Sequence, residues 1–154
     1  MADENKNTKP RKKRGHKYKI TVDEFWEDKY ADREITTPNG KLIVRDKVIK
    51  VIHCDKQWKA DILTSVFSKM GKKWSSGDIY FYSQYHQHKD QTCYDNMGDF
   101  CTKSWYEDMA KRTSVEIYPF NQVDLSKYLS PYQIETIRKS GRFDPIVNAQ
   151  EMGE

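Results

Sequence analysis

Residues 35–70 read ITTPNGKLIVRDKVIKVIHCDKQWKADILTSVFSKM, and the order of the fold elements follows from them. Ile35-Thr36-Thr37 and Lys41-Leu42-Ile43-Val44 flank Pro38-Asn39-Gly40, where glycine supplies the positive φ that a short hairpin loop requires. Asp46-Lys47 interrupts the run, and Val48 to His53 reads as a third strand. The apolar period then changes from two to 3.6. Trp58, Ile62, Leu63, Val66, Phe67 and Met70 form one stripe of a helix that Asp55 is placed to cap and Gly71 to end. The opposite face carries Ala60, Thr64 and Ser68 at i, i+4 and i+8, where a chain so rich in charge would place Lys or Glu. Such a face is covered either by a second layer of the same domain or by another subunit.

Towards the N-terminus, Thr21 and Glu24 have the spacing of a capping box, and Val22, Phe25, Trp26 and Tyr30 predict a helix over 22–33. Towards the C-terminus, Asp78 to His86 alternates as a strand in or near the centre of a sheet, followed by a polar loop from Gln87 to Gly98. Asp99 is a second candidate cap, with Cys101, Trp105 and Met109 on one side of a helix that ends near Arg112. Val115 to Phe120 predicts a strand. Ser130-Pro131-Tyr132-Gln133 combines a cap, a proline at the first helical position and a capping-box Gln, and the helix it starts runs to Gly141. These elements predict an α+β domain over 20–141, with a mainly antiparallel sheet of about five strands and about four helices. Residues 142–154 read as a tail.

Composition supports a core built on rings. Ile, Val, Leu and Phe together number 29 of 154, a fraction low enough to suggest disorder, but 20 aromatic residues restore the area that can be buried. The length suits one domain. Lys outnumbers Arg 20 to 7 while Leu and Ala number 4 and 5, a bias that AT-rich coding produces and that fits low-GC bacteria and their phages. With no apolar run of membrane-spanning length and no apolar N-terminal stretch, a soluble, intracellular protein without a membrane partner is expected. Cys54, Cys93 and Cys101 are odd in number and irregularly spaced, so free thiols are expected rather than a disulfide framework.

Charge is segregated. Residues 1–19 hold eight Lys and Arg against Asp3 and Glu4, a net of +6 in a chain of net +4, so the remainder carries about −2. This basic arm has too few apolar groups to offset the entropy of ordering itself, and its natural partner is a polyanion or an acidic protein surface. Lys9, Arg11, Lys12, Lys13, Arg14, Lys17 and Lys19 are the candidate contacts. Six phosphate contacts would give a log-log salt slope of about −4 to −5 with little sequence selectivity. Pro10 and Gly15 suit a segment lying along a groove or threading between subunits.

Other candidates rest on spacing. On the expected strand, Tyr80, Tyr82, Gln84 and His86 share one face that could stack on unpaired bases or meet another protein. His86-x-His88 with His53 and the three cysteines matches no specific zinc pattern, so neither a metal nor a cofactor is assigned. Asp90, Asp95, Asp99, Glu107, Asp108 and Glu116 could supply the carboxylates of a metal-dependent nuclease, but no glycine-rich phosphate loop or catalytic elbow accompanies them. The reading that joins the arm, the aromatic face and the Ala60/Thr64/Ser68 face is a non-enzymatic structural subunit of a larger assembly. A virion or other nucleoprotein is the setting, with nucleic acid, an acidic surface and other subunits as partners. The alternative is a metal-dependent nuclease or another nucleic-acid-processing enzyme.

Overall fold

The computed structural model describes residues 18–80 and 82–140. The predicted hairpin is present and longer than its sequence signal. Strands β2 (Tyr30–Thr37) and β3 (Gly40–Lys47) pair antiparallel from Tyr30↔Lys47 to Thr37↔Gly40, and Gly40 has φ +121°. Tyr30 opens this ladder, so helix α1 covers only Val22–Trp26 and not residues 22–33. Thr21 forms the expected capping box with Glu24. The other end is closed by Lys50, whose Nζ donates to the Glu24 and Glu27 carbonyls at 2.6 Å each. Those carbonyls make it possible to bury a lysine, although burial pulls its pKa below the usual value.

Lys50 lies on β4 (Ile49–His53), the inner strand of a four-stranded sheet of order β6-β5-β4-β7. Strands β5 (Thr92–Asp95) and β6 (Phe100–Thr102) run antiparallel, and β7 (Val115–Pro119) is parallel to β4. The sheet is therefore mixed, and the β2–β3 hairpin stands outside it. A further two-residue pair joins β1 (Ile20–Thr21) to β8 (Val123–Asp124). The whole is an α+β fold.

Period-two alternation puts Ile52, Tyr94 and Tyr118 on one side of the sheet and Ile49, Val51, Cys93, Val115 and Ile117 on the other. The first side is covered by α2 (Gln57–Lys69), with Phe67 as its hub. The Phe67 ring stacks on Phe25 at 5.7 Å and meets Trp26 edge-on at 4.9 Å and Tyr80 at 5.2 Å. Helix α5 (Pro131–Ser140), started by the reciprocal Ser130/Gln133 capping box, packs beside α2. The second side is covered by α4 (Lys103–Met109) through Tyr106 and Met109.

Helix α2 ends as expected. Gly71 has φ +80°, its N–H donates to Ser68 O, and Lys72 N–H reaches back to Phe67 O. Its N-terminus differs, because Lys56 holds the cap position without a side-chain bond and Asp55 pairs with Lys59 at 2.8 Å. Ala60 and Thr64 are buried in the chain's own core, with Thr64 Oγ1 donating to Ala60 O, and Ser68 is half-buried. Of the two expected coverings, the chain's own second layer therefore accounts for Ala60 and Thr64, whose side chains cannot face a neighbouring subunit.

Further expectations are corrected. Among the described residues of 78–86 no strand forms. After an isolated Lys73↔Ile79 bridge the Tyr80 ring turns into the core, and the backbone at Gln84 (φ +62°) starts the one-turn helix α3 (Tyr85–His88). The sheet position goes instead to Thr92–Asp95, expected to be loop because it reads as polar. It is fully buried because its polar groups are satisfied internally: Thr92 Oγ1 donates to Lys89 O, and the Asp95 carboxylate accepts from Tyr106 OH and the Met97 and Asp99 N–H groups. Cys101 lies on β6 rather than on the following helix, which Thr102 caps and Asp99 does not.

Three outcomes test this packing. Phe67→Ala, which removes the ring that three others touch, should lower unfolding stability by about 3–5 kcal/mol in urea titration. Tyr80→Phe should stabilise by about 1 kcal/mol, since the buried Tyr80 hydroxyl has no partner among the described residues. Asp95 tests the electrostatics, because burial raises its pKa on folding in spite of its hydrogen bonds. Its contribution is fully present below the unfolded carboxylate pKa and is lost as pH rises through the folded value. Asp95→Asn should therefore gain stability relative to the parent as pH rises above the unfolded carboxylate pKa of about 4, read by urea titration at a series of pH values.

Candidate functional site

Two surfaces are left open by this packing. The first is the β2–β3 hairpin, about 27 Å long at 3.4 Å per residue. Lys29 pairs with Glu116, the Asp46 carboxylate accepts from Arg33 and Ser114, and Val48 N–H donates to Lys29 O, so its base is tied to the body. Beyond each other, neither strand makes an extended contact with another element among the described residues. One face bears the charged pairs Asp32/Arg45 and Glu34/Lys41 around Ile43, which is 62 % exposed. The other carries Ala31, Ile35, Val44 and Leu42, the last 52 % exposed.

The second surface is a cleft of about 460 Å³. Its floor is formed by Trp74 and Phe100, whose ring centroids lie 5.3 Å apart, and its walls by Ile79 and Tyr82, 55 % and 67 % exposed. Gln84 and Gln87 add two amides, ordered by a 3.0 Å bond from Gln87 Nε2 to Gln84 Oε1. Asp78 and Asp99 supply negative charge, and among the described residues no Lys or Arg lines the cleft. The rim is held by two clasped turns. Ser75 N–H donates to Gly98 O, the Ser75 hydroxyl bonds Asp99, and a Cβ at Gly98 would meet Ser75 N at 2.7 Å, which excludes any larger residue there. The arrangement suits a flat group that stacks on rings and offers hydrogen-bond donors to carboxylates.

The residues expected from sequence are distributed unevenly over these surfaces. Lys9, Arg11, Lys12, Lys13, Arg14 and Lys17 lie outside the described residues. Lys19 is exposed, its backbone N–H donating to Gln122 O at 2.8 Å. Of the four residues placed on one strand face, only Tyr82 and Gln84 line the cleft. Tyr80 is buried and His86 sits exposed on α3. The residues sequence reasoning missed are Trp74, Ser75, Asp78, Gln87 and Phe100, while Asp99 was considered only as a cap and a metal carboxylate. The turn signal Ser75-Ser76-Gly77-Asp78 between Trp74 and Ile79 was the available clue, since it breaks the supposed strand at its start.

The acidic residues do not converge. Asp108 pairs with Arg112 and Glu116 with Lys29, Asp95 is buried against Tyr106, and among the described residues no three His, Cys, Asp or Glu side chains gather where a metal ion could be held. His53 Nε2 lies 2.6 Å from Asp90 O, and the His88 ring rests 5.6 Å from Phe100. Burial pushes the Cys54 and Cys93 thiols up, Cys93 to about 12, which leaves both poor nucleophiles. No described helix is long and apolar enough to cross a membrane. No family model matches this chain, and no curated protein or solved structure matches it.

Proposed function

We propose that this chain is a non-enzymatic subunit of a larger assembly, a virion or other nucleoprotein, held to its neighbours by the β2–β3 hairpin and to nucleic acid or an acidic neighbour by the basic segment 1–19. The observation that carries this reading is the hairpin. An isolated two-stranded ribbon is marginal in water and gains stability when its apolar face is packed. This one extends well beyond its tied base with Leu42 exposed on its apolar face and Ile43 exposed on the opposite face. Its open edges also offer unpaired backbone groups to another strand. The charge segregation of the sequence supports the second contact.

Light scattering on the full chain should give a mass above the 18.3 kDa of one copy. Leu42→Asp combined with Ile43→Lys should return it to one copy without lowering the melting midpoint, because both side chains are exposed. A full chain that stays monomeric at high concentration would sink the assembly reading. For the basic segment, anisotropy titrations with a fluorescent duplex should show sequence-independent binding, with a log-log salt slope of about −4 to −5. Replacing Lys12, Lys13 and Lys17 by Ala should remove about three units of that slope. An unchanged slope would dismiss the nucleic-acid contact.

A further inference from the structure

We infer that the Trp74/Tyr82/Phe100 cleft is the receptor for an arginine of the chain's own basic segment, Arg11 or Arg14. The inference rests on the reading of that segment as a contact element and names the protein surface it contacts. Its starting point is a double mismatch of charge. Among the described residues the cleft presents Asp78 and Asp99 with no cation in its lining, whereas residues 5–19 carry eight cations and no carboxylate. The other arginines within the described residues are already engaged: Arg33 with Asp46, Arg45 with Asp32, Arg112 with Asp108 and Arg138 with Glu135. Residues 5–19 contain no carboxylate that could pair with Arg11 or Arg14.

The shape selects the same group. A guanidinium is flat, stacks on aromatic faces and directs a fork of donors at carboxylates, so it can use the rings, the carboxylates and the amide oxygens of one cleft together. A lysine ammonium would use the charge but not the stacking geometry. A nucleic-acid strand would bring phosphates towards Asp78 and Asp99 with nothing to neutralise them, so the stacking surface here does not suit bases carried on a phosphate backbone. A neutral sugar ring could stack and hydrogen-bond there, but it would leave the negative charge unanswered.

The test uses the full chain and the indole N–H signal of Trp74 in ¹H–¹⁵N spectra, assigned by its loss in Trp74→Phe. Arg11→Ala with Arg14→Ala should shift this signal. Adding a synthetic peptide of residues 8–19 to that variant should restore it, with the effect lost at high salt. Tyr82→Ala or Asp78→Asn should each weaken the peptide by about threefold to fivefold, the size of one exposed cation–π contact or ion pair. Both side chains are exposed, so these variants keep the fold. A Trp74 signal indifferent to Arg11 and Arg14 would overturn the inference. So would saturation by a hexose or a nucleoside monophosphate when the peptide has no effect. Hairpin-dependent mass and duplex binding are read separately and should survive Asp78→Asn, so their loss would count against the assembly reading and not against the cleft.

Discussion

The packing of Phe67 against Phe25, Trp26 and Tyr80 is the contact from which the arrangement of the fold extends. It joins α1, α2 and the segment after α2, three pieces that no backbone ladder connects. A chain with four leucines has few aliphatic residues for a core, so the ring-to-ring network continues outwards through Tyr80 and Trp74 to Phe100. Trp74 and Phe100 are half-buried, and the cleft is the place where this aromatic core reaches the surface.

Lys50 shows how the same core sets the position of the hairpin. Its ammonium binds the carbonyls that end α1, while its backbone O and N meet Asn96 in the β5–β6 turn. The α1 terminus and that turn are thereby fixed to the central strand, and β2 begins three residues after Glu27, paired with β3 and not with the four-stranded sheet. The hairpin and the cleft are consequently built differently. The hairpin projects from a tied base, whereas the cleft lies on two turns locked together by Gly98 and Ser75.

Where local chemistry decides conformation, the sequence was legible. The Pro38-Asn39-Gly40 turn, the Thr21/Glu24 and Ser130/Gln133 capping boxes, the Gly71 stop and the α2 stripe all depend on residues within a few positions of one another. Residues 78–86 failed for an identifiable reason. Alternating rings resemble a strand, but Tyr80 is drawn inward by Phe67 and Trp74, which are distant in sequence or follow a turn. Thr92–Asp95 failed in the opposite sense, since its polar side chains can be buried only because Lys89 O, Tyr106 OH and two turn N–H groups are in place to satisfy them. The candidate cleft was half legible: Tyr82 and Gln84 came from period-two spacing, whereas Trp74 and Asp78 are joined there by Asp99 and Phe100 from a second segment about 20 residues further along the chain.

The sequence by itself determined the α+β class, the caps and turns, the helix at 57–69 and the separation of a basic segment from a near-neutral body, because these follow from local propensity, period and charge. Only the tertiary structure decided which strands pair, which polar residues are buried and which rings remain at the surface. Those outcomes depend on side chains far apart in the chain satisfying one another's hydrogen bonds and filling one another's space, and no local pattern encodes that information.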